Sequence, residues 1–389
     1  MSLFQEKIQQ AGGLLDELSI DLWMIFARES SMQADPAMPI VVGYDVTWPS
    51  CFMFTRDRQA IALVGNLDEH NFVSSGRFTE VLTYTQDVRQ EIVRLLERID
   101  PKKIAIDYSL SDPAADGLTH GMYLVLLESL EDTPYRERLV SGEVLISKLR
   151  SRKLPSEVER LSSAARMGHD VWQAGIPELA VALTEKQVAA ILDDLIGQHG
   201  GYNAFPSIVN AGDKTKPGHG LPTDAKLAPG DLLHVDFGVS VDGYCSDLQR
   251  LVYFRRPGES RPGPELTDAF ALVCDIITES AKACLPGVTG YDVDQQARDT
   301  LRDHGYPEYQ HALGHQLGRS VHDGGAIIGP KWARYGGSPS IPLEVGNVFT
   351  LELEIMLPGI GCVGLEEDIC ITETGGGFLC PRQLELVVK

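Results

Sequence analysis

No Cys-x-x-Cys pair, no apolar run of membrane-spanning length and a shortage of basic residues set the first limits on this 389-residue chain. The seven cysteines (Cys51, Cys245, Cys274, Cys284, Cys362, Cys370 and Cys380) are odd in number and scattered. Such a set reads as reduced thiols of a cytosolic protein, not a disulfide framework or a thiolate zinc site. Without a long apolar segment, and with a start (MSLFQEKIQQAGG) neither basic nor apolar enough for a signal peptide, the chain is expected to be soluble and cytoplasmic. Thirty-four basic residues against 55 acidic ones leave a net charge of −21. That balance argues against nucleic acid or an anionic membrane as partner. What remains is a 43% hydrophobic chain, long enough for two or three domains with a large core.

Up to about residue 150, strand and helix signals alternate, predicting a compact α/β domain. Residues 4–18 read as an amphipathic helix stopped at Gly12–Gly13 or shortly after, and 22–26 as a buried strand. A hairpin is predicted from 52–55 and 60–64, a helix over 88–99 ending before Pro101, and a short strand at 104–106. His70 and His120 stand isolated, so packing or oligomerisation is the expected role of this domain. The basic, Pro155-containing stretch 147–160 reads as a linker into a second domain, 151–389. Helices are predicted over 156–174 and 184–198, the latter opened by a Thr184/Gln187 capping box.

The stretch HVDFGVSVDGYCSDLQR, residues 234–250, then reads as a β-hairpin around Asp242-Gly243. With a two-residue loop, Asp236 and Asp247 share a face, directly or diagonally across the pair, and their like charges call for a cation between them. Taken alone, the stretch fits a solvent-facing hairpin with scattered acids equally well. The order then recurs: helices at 265–284 and 290–304, followed by a second acidic hairpin over 347–372. A loop of three or five residues at Pro358-Gly359 would set Glu352 against Glu366. Neighbouring Glu354, Glu367 and Asp368 leave that choice open on periodicity alone. Between the hairpins, HALGHQLGRSVHDGG carries His311, His315 and His322. Four carboxylates and one imidazole form a hard donor set suited to Mn²⁺, Co²⁺ or Zn²⁺ in a two-metal site, and so to metal-assisted hydrolysis, foremost of an amide.

The ordered set Asp236, Asp247, His315, Glu352 and Glu366, in the contexts VDFG, YCSD, LGHQLG, FTLE and LEED, resembles the pita-bread metallopeptidases. That superfamily spans methionine aminopeptidase, Xaa-Pro aminopeptidase, prolidase and creatinase. The resemblance implies an α+β catalytic domain with pseudo-twofold helix–helix–hairpin halves behind a creatinase-like N-terminal domain that dimerises. It implies two divalent ions, Mn²⁺ foremost, with Asp236 on one, His315 on the other, and Asp247 and Glu366 bridging. Glu352 would be both ligand and proton acceptor. His219 in PGHGLP would contact substrate or the leaving amine, His322 would steady the oxyanion, and His311 would stand behind the ligands or at the substrate. The segment looks more like prolidase than methionine aminopeptidase, so the expected activity is hydrolysis before proline in dipeptides or short peptides. The alternatives are an aminopeptidase for longer peptides, a creatinase-like C–N hydrolase, or a non-catalytic binding protein. Val241 stands where the resemblance leads one to expect tyrosine, Gly364 where it leads one to expect arginine, and Leu353 where it leads one to expect proline. One of Arg319, Lys331 or Arg334 is the expected substitute cation.

Overall fold

The computed structural model describes residues 2–214, 218 and 220–389. The chain divides into two compact units, Met1–Arg150 and Ser151–Lys389.

The first unit is built on a six-stranded sheet of β1 (Leu22–Ala27), β2 (Ser50–Thr55), β3 (Ala60–Gly65), β4 (Glu80–Tyr84), β5 (Ile104–Ile106) and β6 (Leu139–Ser141). Their order is β4-β3-β2-β1-β5-β6. Period-two alternation feeds both faces of β1: Trp23, Ile25 and Ala27 enter one core cluster, and Leu22, Met24 and Phe26 the other. A strand buried on both sides reads as a continuous apolar run, which is why 22–26 stood out. The first helix spans Leu3–Glu17 and passes straight through Gly12 and Gly13. Burying Ile8, Ala11, Leu14 and Leu15 outweighs the weak helix propensity of two glycines.

Residues 147–151, read as linker, belong instead to a helix over Glu143–Ser151. The break is confined to 152–154, and Pro155 opens the next helix, Pro155–Gly175, where its missing N–H costs nothing. The capping box of the following helix, Glu185–Gln198, forms as predicted: Thr184 Oγ1 accepts from Gln187 N, and Gln187 Oε1 from Thr184 N.

The remaining strands of the second unit are β7 (Tyr202–Asn203), β8 (Ile208–Ala211), β9 (Leu232–Phe237), β10 (Val239–Val241), β11 (Tyr244–Cys245), β12 (Leu248–Tyr253), β13 (Gly314–His315), β14 (Ile327–Ile328), β15 (Val348–Leu357), β16 (Gly361–Thr372), β17 (Gly375–Phe378) and β18 (Val387–Val388). The main sheet runs β15-β16-β12-β9-β8, with β17 beside β16 and β18 beside β12. Two helices, Pro264–Ala283 and Gly290–Asp303, precede its second hairpin as the first two precede its first. The result is the predicted α+β pita-bread arrangement of two helix–helix–hairpin halves. Among the described residues, no helix is long and apolar enough to cross a membrane.

Candidate metal centre

The first hairpin turns on two residues. Asp242 and Gly243 both have positive φ, 52° and 73°, as a type I′ turn requires. Val241 faces Tyr244 at the tip, and the base is in register with Phe237 opposite Leu248. Asp236 therefore stands directly across from Gln249, with Asp247 on the diagonal, where the two carboxyls are hydrogen-bonded to each other. The second hairpin turns on three residues, 358–360, and sets Glu352 directly opposite Glu366. Strand pairing then joins both hairpins in one lateral row: Ile208, Asp236, Gln249, Glu366 and Glu352. Residues in register across a sheet share a face, so three acids of the row converge on one side.

The neighbouring acids sort themselves by the same rule. Glu367 points to the opposite face, where it forms a buried ion pair with Arg250 at 3.0 Å. Asp368, two residues beyond Glu366, accepts from the Asp247 backbone N at 3.2 Å and so holds that aspartate's main chain. Glu354 lies beside Cys362, whose thiol donates to it.

His315 comes to this face from β13. Its Nε2 lies 3.7 Å from Asp247 Oδ2 and 3.9 Å from Glu366 Oε1. The His322 ring meets the His315 ring edge-on, with centroids 4.4 Å apart. A buried ion pair of 2.9 Å between Lys153 Nζ and Asp323 anchors the segment that presents His322.

These groups line a cavity of about 670 Å³. Its floor carries Asp236, Asp247, His315, Glu352 and Glu366, its walls include Phe205, Pro206, Ile208 and Leu221, and Arg319 and His322 also face it. His311 is not among the lining residues; it is exposed, its ring edge-on to Tyr309 at 5.5 Å. His219 lies outside the described residues. Lys331 lines a different pocket with Arg298 and Trp332, and Arg334 stacks on Trp332 and Tyr335. Gln249, which the sequence reading passed over, donates through its amide to Glu366 at 2.9 Å and to Glu352 at 3.3 Å.

Crowding buried acids raises their pKa values. Burial, with the charge of Glu354 adding to it, pushes Asp236 up to about 7. Burial, then the charges of Asp236 and Glu354, push Glu352 up to about 8. Asp247 and Glu366 rise well above the carboxylate range, through burial first and then through a neighbouring glutamate's charge. Carboxylates held together in this way keep protons until a cation displaces them. The cation they fit is divalent. Asp236 Oδ1, Asp247 Oδ1 and Glu366 Oε1 are buried without hydrogen-bond partners, and Asp247, His315 and Glu366 bring ligand atoms within 4.8 Å of one another. One imidazole among hard oxygens suits Mn²⁺, Co²⁺ or Zn²⁺.

Comparison with known proteins is consistent with this geometry. The model of metallopeptidase family M24 matches residues 159–373. An uncharacterised peptidase of Staphylococcus aureus is 30% identical over 263 residues, 64% of this chain and 71% of the relative. An Xaa-Pro dipeptidase of Pyrococcus horikoshii is 25% identical over 390 residues, the full length of both. Among solved structures, an Xaa-Pro dipeptidase from Bacillus anthracis has the same fold, with a TM-score of 0.79 at 22% identity over 99% of this chain and 100% of the other.

Proposed function

Since the chain belongs to metallopeptidase family M24, we propose that it hydrolyses the peptide bond preceding proline in short Xaa-Pro peptides, using two divalent ions. The observation that carries this reading is the convergence of four carboxylates and His315 on one cavity floor, with buried oxygens that lack partners. A fold by itself assigns no chemistry, but a complete donor set does. Xaa-Pro specificity is drawn from the full-length dipeptidase relative.

Asp236 would hold one ion, His315 the other, and Asp247 and Glu366 would serve both. Bound there, the ions would supply an acidified water and a polarised scissile carbonyl. Glu352 lines the same cavity and takes the proton of the attacking water as general base. His322 faces the same cavity beside His315 and donates to the oxygen that gains negative charge. The apolar wall of Phe205, Pro206, Ile208 and Leu221 accepts the proline ring.

Arg319 favours a dipeptide over a longer chain. Among the described residues it is the one Lys or Arg lining the cavity, and no carboxylate pairs with it. Its guanidinium lies over the Tyr244 ring at 5.1 Å, and the Tyr244 hydroxyl is tied to Glu157 at 3.0 Å. A guanidinium held there is placed for a free C-terminal carboxylate. Mn²⁺ is the favoured metal, and pairing of two copies through the Met1–Arg150 unit the favoured assembly. The test is hydrolysis of Xaa-Pro dipeptides and Xaa-Pro-containing tripeptides by protein reloaded with each metal in turn.

A further inference from the structure

We propose that Gln249 is a positioning residue that clamps Glu352 and Glu366 for metal binding, with His234 deciding which end of its amide faces them. The proposal rests on the two-metal reading above and adds to it how the glutamates are held apart. Gln249 sits mid-row, across from Asp236 on one side and Glu366 on the other. Its Nε2 donates to Oε2 of Glu366 at 2.9 Å and to Oε2 of Glu352 at 3.3 Å. Each glutamate thereby spends one oxygen on the amide. The other oxygen of Glu366, Oε1, has no hydrogen-bond partner and lies 3.9 Å from His315 Nε2.

An amide can turn either end to its neighbours, and the wrong end would set an oxygen against two carboxylates. His234 Nε2 lies 2.9 Å from Gln249 Oε1, and its Nδ1 lies 3.1 Å from Asn210 Oδ1. A neutral imidazole carries one N–H to share between these two oxygens. Placed on Nε2, that hydrogen goes to Gln249 Oε1 and turns the amide's NH₂ toward the glutamates. All three lie in the face that holds the acids: Asn210 pairs with His234, one step along the sheet from the Ile208–Asp236 pair. Residue 364 makes room for the arrangement. A Cβ on Gly364 would fall 2.8 Å from both Gln249 Oε1 and His234 Nε2. Only a glycine leaves that space, so the amide and imidazole occupy the volume a side chain at 364 would claim. A neutral donor also leaves the full negative charge of the glutamates for the ions, where a lysine or arginine would compete with them.

The test is Mn²⁺ titration by calorimetry on wild type, Gln249→Met and Gly364→Ala, with unfolding temperature measured on the metal-free proteins. Outer groups that orient ligands typically carry about 10–100-fold in metal affinity, and that is the weakening expected for Gln249→Met, with kcat lowered and KM little changed. Gly364→Ala keeps the donor but displaces it, and should show the same weakening. His234→Phe combined with Gln249→Met should be no worse than the poorer single variant, because both act through one amide. Mn²⁺ binding at wild-type affinity in either Gln249→Met or Gly364→Ala overturns the proposal while leaving the metal centre intact. A wild type that binds no Mn²⁺ overturns both.

Discussion

Glu352 and Glu366 face each other directly across adjacent antiparallel strands, with the amide of Gln249 bonded to both. Like charges so placed destabilise a sheet, and both groups resist ionising. Divalent ions relieve that conflict in the folded state alone. Saturating Mn²⁺, at about 100 times Kd, contributes about 2.7 kcal/mol per site, which raises the unfolding temperature by roughly 5 °C or more. Calorimetric melting with Mn²⁺ and with chelator measures this. Asp247→Ala and Glu366→Ala should lose the shift and the activity together.

His322 should separate metal binding from turnover. Its ring touches His315 without being one of the clustered donors. His322→Ala should keep both ions and lose kcat by about 10²–10³-fold, the usual cost of removing an oxyanion donor. Turnover near wild type with both ions bound would assign the oxyanion role elsewhere.

Arg319→Ala tests carboxylate recognition. A hydrogen bond to a charged group is worth about 1.5–3 kcal/mol, so kcat/KM for an Xaa-Pro dipeptide should fall by about 10–100-fold. The amide-capped substrate, which offers no carboxylate, should lose little. Steady-state kinetics on the two substrates makes the comparison.

The first unit has its own pH dependence. Asp35 and Asp107 are both buried and hydrogen-bonded to each other, and Trp23 Nε1 donates to Asp107 at 2.6 Å. Burial pushes Asp35 up to about 6 and Asp107 well above the carboxylate range. A raised folded-state pKa means that the native state binds the proton more tightly. The stability it confers is complete below the unfolded value near 4 and is lost as pH climbs through about 6. Asp35→Asn, whose amide can donate to Asp107, should remove that loss. Urea unfolding of this unit should show the variant gaining about 1–3 kcal/mol on wild type between pH 4 and 7.

Much of the centre was legible because hairpin arithmetic is strict. Asp242-Gly243 admits a two-residue turn, and that alone sets Asp236 and Asp247 on the diagonal. Glu352 and Glu366 needed one more fact, the three-residue loop, which Pro358-Gly359 did not decide. Gln249 left no trace, because a neutral amide on a strand has no charge pattern, and its importance comes from strand order, which joins two hairpins over a hundred residues apart. His311 lies outside the cavity lining, yet its charge acts on Glu354, two residues from Glu352 on the same strand. In the first unit, buried strands were clear from apolar runs, while the helix through Gly12–Gly13 shows packing overriding propensity.

The central claim is metal-dependent cleavage before proline, and one assay tests it most directly. Metal-stripped protein, reloaded in turn with Mn²⁺, Co²⁺ and Zn²⁺, is given an Xaa-Pro dipeptide, an Xaa-Pro-containing tripeptide and a dipeptide without proline. The account predicts release of proline from the first with at least one metal, greatest with Mn²⁺, slower cleavage of the second, little of the third, and none without metal. Xaa-Pro substrates left intact under every metal would contradict it.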